Sequence, residues 1–417
     1  MKKKYLFDFL NFTEIEFRFI FLLFFLLPFA KVYKMWGMRI HKNKSLTIGV
    51  DARPLIYPFN GNAQYLHKML RELILKRPND RWILFSHRPL HEYFSDLYLH
   101  KNVRTAQLPS RFFQIGPLWI HFKLIPEIKK YKCDLLWATL AMLPFYYQKR
   151  TSIPALVNFH DLNAFSAPGT MTLWNRWQHK ILDGHTLKNA RSIICLSKTT
   201  EEDIIKVFPS IPRESLQIVY PGCELPVVKA RMPELLAGIK NFILSVGTIE
   251  PRKNHKTLIS AYLRAKASGE KIPPLVLVGK KGWGDETLYQ ELKSGKYREK
   301  GILYLDHASM EELIYCYKNA LFCALPSLHE GFGLPVIEAL SYGKLSVVSD
   351  IPVFREVCRE CKFVPPEDIE LWSDAIVQIS RNKKRPPPSF NRKTWSWKNR
   401  AAFLSEIIDS LQKNQGI

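Results

Sequence analysis

The feature that most constrains this chain is a rhythm that runs twice: a short apolar run, a turn, then a stretch with helical periodicity, over and over. Leu46-Thr-Ile-Gly-Val50 reads as a buried strand, and after a loop that ends at Gly61 the residues Tyr65, Leu66, Met69, Leu70, Leu73 and Ile74 recur at helical spacing. Further strands are expected at Trp82–Phe85, Leu135–Ala138, Leu156–Phe159 and Ile193–Leu196. Residues Pro221 to Lys240 lose the rhythm and carry Pro221, Gly222, Pro226 and Pro233, which marks a linker. Beyond it the pattern restarts, with strands at Phe242–Val246, Leu275–Val278, Ile302–Leu305, Phe322–Leu325 and Leu345–Val348, and helices such as Leu258–Ala267 and Met310–Asn319 between them. Strands that alternate with helices need crossover connections, so the fold class is α/β with two doubly wound parallel sheets. Ligands of open parallel sheets sit beyond the carboxyl ends of the strands, and two such domains facing each other imply a cleft.

Domain limits follow from these breaks: an amino-terminal segment over 1–45, a first domain over 46–222, a linker over 223–240, a second domain over 241–388 and a carboxyl-terminal helix within 389–417. Lys383–Pro388 reads as an exposed connector. After it, Trp395-Ser-Trp397 leads into an amphipathic helix, Arg400–Leu411, long enough to pack back across the domain seam. The length of 417 residues and 47% hydrophobic content supply two cores, which excludes a disordered chain or a small disulfide scaffold.

Lysines and arginines outnumber acids 61 to 38, a net charge of +23 that biases the chain toward anionic partners. Seven cysteines, an odd number, do not form the dense even framework of a small secreted protein, so a reducing compartment is expected. Cys358-Arg-Glu-Cys361 has redox or zinc spacing, but no second pair completes it, and incidental thiols are the expectation. At the amino terminus, Phe19 to Ala30 is apolar and flanked by lysines, but it is shorter than the ~18–20 residues of a spanning helix and holds Pro28. Glu14, Glu16 and Arg18 beside it fit a signal peptide badly. The expectation is an interfacial anchor within residues 1–45. A start of translation at Met35 or Met38 is the rival reading, and a true span a third.

The most informative segment is His329-Glu-Gly-Phe-Gly-Leu-Pro-Val-Ile-Glu-Ala-Leu340, directly after a strand and a short loop. Gly331 and Gly333 let backbone approach a ligand, and Pro335 suits the first turn of a helix whose free amides point at an anion. Glu330 lies in the loop and Glu338 about one helical turn in, placed to hold hydroxyls on different parts of one extended ligand. Either glutamate alone fits equally a favourable charge near a helix start; the spacing, glycines and strand-loop-helix context together favour a ligand site. A second site is expected where strand Phe242–Val246 runs into Gly247-Thr-Ile-Glu-Pro-Arg-Lys-Asn254, because Arg252 and Lys253 there suit a diphosphate. Gly279-Lys-Lys-Gly-Trp283 repeats that geometry more weakly. His160, directly after a strand, is expected to project into the cleft, where it can bond a sugar hydroxyl or assist proton movement, although a lone strand-end histidine is more often structural. The loop ending at Gly61 offers a further approach to phosphate or acceptor.

These residues resemble the retaining nucleotide-sugar glycosyltransferases of family four, whose GT-B fold faces two Rossmann-like domains across a cleft. The likeness covers Leu46 to Leu411, and the pair Glu330 and Glu338 with Gly-Phe-Gly-Leu-Pro between them is its most specific motif. Val246-Gly-Thr-Ile-Glu-Pro-Arg-Lys-Asn254 is similar to the mannosyltransferase-like branch. The resemblance implies that Arg252 and Lys253, with the amides of Gly333 and Leu334, hold a donor diphosphate. It also implies that Glu338 holds the ribose, that Glu330 with Gly331 and Phe332 holds the donor sugar, and that His160 reaches the transferred sugar. Gly61 matches the first glycine of the amino-domain loop. Two departures stand out: Thr248 occupies a place where many relatives carry arginine, and the loop reads Gly61-Asn-Ala-Gln-Tyr65 instead of Gly-x-Gly-Arg-Tyr.

The function so implied is retaining, metal-independent transfer of a hexose, mannose from GDP-mannose, to a lipid-linked or surface glycan of O-antigen type. No cofactor beyond the donor is expected and no metal ligand, since no Asp-x-Asp motif lies near these turns. The expected place is the cytoplasmic face of the cell membrane, with no nucleic-acid partner. A sugar-nucleotide epimerase on the same fold, and a non-catalytic basic protein that binds membrane or nucleic acid, are the alternatives.

Overall fold

The computed structural model describes residues 45–58, 60–107, 116–170, 173–381, 388, 390–391 and 393–413. The expected anchor within 1–45 therefore lies outside the described residues, apart from Ser45, and so does the connector Lys383–Pro388, apart from Pro388.

The amino lobe is a parallel sheet of β1 (Thr47–Asp51), β2 (Arg81–Ser86), β3 (Val103–Gln107), β4 (Leu135–Ala138), β5 (Ala155–Phe159), β6 (Ser192–Cys195) and β7 (Leu216–Ile218), ordered β3-β2-β1-β4-β5-β6-β7. The carboxyl lobe repeats the plan with β8 (Ile243–Val246), β9 (Leu275–Val278), β10 (Ile302–Leu305), β11 (Phe322–Leu325), β12 (Ser346–Ser349) and β13 (Lys362–Val364), ordered β10-β9-β8-β11-β12-β13. Helices cover both faces of such sheets, so the central strands carry apolar residues without alternation; β1, β4, β5, β6, β9 and β11 are buried along their whole length. The order reverses between β1 and β4 in one lobe and between β8 and β11 in the other, and the crevice at such a reversal is where doubly wound sheets take ligands.

Eight helices matter below: α1 (Gly61–Lys76), α2 (Leu173–Asn189), α3 (Lys198–Val207), α4 (His255–Ala267), α5 (Met310–Asn319), α6 (Leu334–Ser341), α7 (Pro352–Val357) and α8 (Trp397–Lys413). Their starts are written locally. The Asn60 carboxamide accepts the Ala63 N–H at 2.7 Å at the head of α1, and Ser309 with Glu312 forms a reciprocal capping box on α5. The closing helix α8 returns to the amino lobe, where Ala401, Leu404 and Ile408 share a core with Leu66, Leu70 and Leu73 of α1. Arg77 at the end of α1 adds bonds to Ser405 Oγ at 2.9 Å and Asp409 Oδ1 at 2.7 Å. Each such fully buried leucine or isoleucine contributes about 1.5–3 kcal/mol, enough for a few of them to hold this strap against the lobe.

Three strands escape the sequence rhythm: β3, β7 and β13. All three are edge strands, with one neighbour and less burial, so Val103-Arg-Thr-Ala-Gln107 and Lys362-Phe-Val364 need no continuous apolar run. One expectation is corrected. Cys358 and Cys361 are not incidental thiols but form a disulfide, because α7 ends at Val357 and the turn after it brings their Cα atoms to 5.8 Å. Among the described residues no helix is long and apolar enough to cross a membrane.

Candidate active site

The chain leaves β8 through Gly247, and the amides of Gly247 and Ile249 bond the carbonyls of Val278 and Lys280, each at 2.9 Å, so the turn is held by its neighbour β9. A single 3₁₀ turn, Pro251–Lys253, then presents Arg252 and Lys253. The loop after β11 arrives beside it, since the order β8-β11 makes these strands neighbours. Arg252 Nη1 donates to Glu330 Oε2 at 2.7 Å and to the His329 carbonyl at 3.0 Å, while Nη2 donates to Glu250 Oε1 at 2.7 Å. Lys253 Nζ meets Glu330 Oε1 at 2.5 Å, and Ser327 Oγ donates to the same oxygen at 2.7 Å. The two loops are stitched further: the Leu328 amide bonds the Arg252 carbonyl at 2.8 Å, and Asn254 Nδ2 bonds the Pro326 and Pro366 carbonyls at 3.2 and 2.7 Å.

Glu330 is only 7% exposed. Burial pushes its carboxyl up, but the charges of Lys253 and Arg252 with the bonds from Lys253 and Ser327 outweigh this and hold it at about 2. Burial likewise opposes the charge on Arg252, and Glu330 and Glu250 more than restore it. The result is a fixed cluster of paired charges beside the carboxyl ends of β8 and β11.

The next residues turn that cluster into a cradle. Gly333 caps α6 with φ at +87°, in the left-handed region, and Pro335 follows inside the first turn. The first amides of α6, beginning at Leu334, point out of a helix start, where the dipole favours an anion. Phe332 turns inward: it is 4% exposed and sits 6.0 Å from the Tyr220 ring and 5.7 Å from the Trp395 ring, so its side chain is taken up by packing and only its backbone is left to contact anything else. Glu338, one turn along α6, accepts from Tyr317 Oη at 2.8 Å. Burial raises its carboxyl above the ordinary range, opposed by the charge of Lys68 and by the Tyr317 bond. Lys68 belongs to α1 of the other lobe, so a cation from across the seam faces the second glutamate.

On the amino side, His160 follows β5 and bonds the Thr139 carbonyl through Nε2 at 2.8 Å. A carbonyl can only accept, so Nε2 carries the hydrogen and Nδ1 is the acceptor of the neutral ring. Burial lowers its pKa, partly countered by the Thr139 bond and by Asp161. Tyr65 of α1 sets its ring edgewise at 5.4 Å. The lobes meet here: a Cβ on Gly331 would stand 1.8 Å from the His160 carbonyl oxygen, so only glycine permits this approach. Gly61 opens α1 on the exposed side, with nothing within 4 Å of where a Cβ would be. The structure therefore brings Arg252, Lys253, Glu330 and the start of α6 together and sets His160 against Gly331. Lys281 instead pairs with Glu286 on the surface at 2.5 Å.

Four participants are not singled out in the motif reading. Glu250 and Ser327 steady the charges, and Lys68 faces Glu338. Glu356 of α7 accepts the amides of Lys198 and Thr199 at 2.7 and 2.9 Å, capping α3 from the opposite lobe. Ser327, three residues before Glu330, is close enough in the chain to be noticed. Glu250, two residues before Arg252, stands in the quoted turn as well, and only Lys68 and Glu356 depend on packing.

Two family models match in tandem: Glycosyltransferase Family 4 over residues 59–225 and Glycosyl transferases group 1 over residues 228–392. The chain is a family-four glycosyltransferase. Among curated glycosyltransferases, it is similar to O-antigen chain mannosyltransferase B of Escherichia coli, 27% identical over 344 residues, 78% of this chain and 88% of that protein. It is also similar to O-antigen chain mannosyltransferase RfbU of Salmonella typhimurium, 26% identical over 280 residues, 67% of this chain and 73% of that protein. In fold it matches HepE of Anabaena, solved with UDP and glucose, at a TM-score of 0.63 and 17% identity, covering 88% of this glycosyltransferase and all of that chain.

Proposed function

We propose that this glycosyltransferase moves mannose from GDP-mannose, with retention of anomeric configuration and without a metal ion, onto a lipid-linked or surface glycan of O-antigen type. The observation that carries the reading is the convergence of Arg252, Lys253, Glu330 and the head of α6 at the carboxyl ends of two adjoining strands. The two O-antigen mannosyltransferase relatives support the choice of sugar and acceptor.

The chemistry follows from charge. Breaking the bond between the anomeric carbon and the diphosphate oxygen leaves negative charge on the phosphate and an oxocarbenium-like sugar. Arg252, Lys253 and the α6 amides stabilise the first, taking the part a divalent cation plays elsewhere. The acceptor hydroxyl forms the new bond from the face the diphosphate leaves, and its proton passes to the departing phosphate oxygen, which releases GDP. Glu330 receives donor-sugar hydroxyls with the amides of Gly331 and Phe332, Glu338 the ribose hydroxyls, and His160 meets the transferred sugar. The acceptor enters from the amino lobe by Gly61. Peripheral contact with the inner face of the cell membrane through residues 1–45 would bring the enzyme to such an acceptor.

A thermal-unfolding screen of nucleotide sugars tests this. A donor at about a hundred times its dissociation constant adds ~2.7 kcal/mol, so GDP-mannose should raise the midpoint most. Replacing Arg252 and Lys253 together by alanine should weaken calorimetric GDP affinity at least about tenfold, the loss of two charge-assisted contacts. Unchanged affinity would reject the diphosphate assignment, and a stronger response to another donor would replace GDP-mannose.

A further inference from the structure

One face of the amino lobe carries large apolar side chains in water and cations around them. Trp177 and Ile181 lie one turn apart on α2, 66% and 59% exposed. The stripe continues along α2 to His185, whose ring stands 5.6 Å from Phe145 and whose Nε2 bonds the Pro144 carbonyl at 3.1 Å. Phe145 stacks flat on His121 at 4.0 Å and donates its amide to that ring's Nδ1 at 3.2 Å. Beside these rings Phe122 is 60% exposed and Tyr146 64% exposed. Three separate stretches of chain, 116–130, 145–150 and α2, therefore meet through the rings of His121, Phe145 and His185, and each leaves large apolar side chains in water, a pattern monomeric proteins rarely keep without a purpose.

The charge around the strip has one sign. These stretches hold eight lysines and arginines against two acids, Glu127 and Asp183. Both acids are already engaged, Glu127 with Lys130 at 3.5 Å and Asp183 with His179 at 3.1 Å. Next to Tyr146, a depression of about 520 Å³ is lined by Lys129, Lys132, Lys149 and Arg150. Aromatic and aliphatic side chains rimmed by cations match the interface of a bilayer with anionic headgroups, where rings sit at the boundary and each lysine or arginine adds attraction.

We propose that this face, formed by 116–130, 145–150 and α2, docks directly on an anionic bilayer, as a contact separate from residues 1–45. Its place gives the contact a use. Asp161, the neighbour of His160, is close enough for its charge to act on His179 and Asp183 of α2, so the helix that carries Trp177 and Ile181 lies beside the loop that carries His160. A hydroxyl carried on a membrane-embedded acceptor then meets the cleft at headgroup level. The docking itself is independent of which sugar is transferred.

The test uses the full chain with Ile181→Cys carrying an environment-sensitive fluorophore; the native cysteines are buried, so the label goes to position 181. Vesicles rich in phosphatidylglycerol should shift emission to the blue and raise it severalfold. Pure phosphatidylcholine vesicles or high salt should do neither. Lys149→Glu with Lys180→Glu, and separately Phe122→Ser with Trp177→Ser, should each weaken vesicle binding at least about tenfold with midpoint and GDP affinity unchanged. If the full chain sediments with vesicles while the label at 181 stays unshifted, the bilayer contact lies elsewhere and the proposal fails. Absence of any vesicle binding overturns it equally, and neither result touches the donor site.

Discussion

Glu330 and Glu338 stand eight residues apart on one loop and helix, yet their surroundings drive them in opposite directions. Around Glu330, Arg252, Lys253 and Ser327 converge within 2.7 Å, and the carboxyl is held at about 2. Around Glu338, burial dominates, one phenol donates, and the nearest opposing cation is Lys68 of the other lobe, so the carboxyl rises. The first region is complete within the carboxyl lobe; the second is completed only when the lobes face each other. Two identical side chains in one motif are thus held by their surroundings in opposite senses, one carboxyl lowered by cations and the other raised by burial.

The sharpest break of this contrast is catalytic. Glu330→Ala should lower the rate of transfer at least about a hundredfold, since it unseats both cations as well as the sugar contacts. Turnover near that of the native enzyme would remove Glu330 from the reaction. A stability measurement separates the two regions by sign. The folded pKa of Glu330 lies below its unfolded value, so its contribution is present above about 4.3 and is lost as pH falls toward 2. The folded pKa of Glu338 lies above, so its contribution is present below the ordinary value and is lost as pH rises through the raised one. In urea titrations at pH 7, Glu330→Gln should therefore cost about 3 kcal/mol by leaving buried cations unpaired, and Glu338→Gln should stabilise. Equal signs would mean that the two sites share one environment after all. The smallest effect belongs to the interlobe cap: Glu356→Gln should cost about 1 kcal/mol of stability in the same titration, and no change would show that α3 does not depend on the opposite lobe.

Much of this molecule is legible in its residues alone. Met310–Asn319 and Phe322–Leu325 are visible as helix and strand because periodicity and burial are local consequences of backbone geometry. The edge strands β3, β7 and β13 are not, because a strand with one neighbour has less apolar surface to hide. At the site, Arg252, Lys253 and Glu330 carry residue types and turns that suggest an anion cradle. The inward turn of Phe332 into Tyr220 and Trp395, and the approach of Gly331 to His160, join residues from distant parts of the chain. Their contacts have no local pattern, and neither has the disulfide partnership of Cys358 and Cys361, whose spacing alone fits several chemistries.

By itself, then, the sequence determined the alternation of elements, the reading of two lobes and the chemistry on offer at the ends of β8 and β11, since each depends on neighbours a few residues away. Tertiary structure decided which charges meet. Arg252 and Glu330 are 78 positions apart, and only the reversal of strand order that sets β8 beside β11 brings them to 2.7 Å. It also decided that Lys68 faces Glu338, that Glu356 caps a helix of the opposite lobe, and that three distant stretches join in one basic, apolar face. Burial and Coulomb energy depend on distance in space, which sequence separation does not encode.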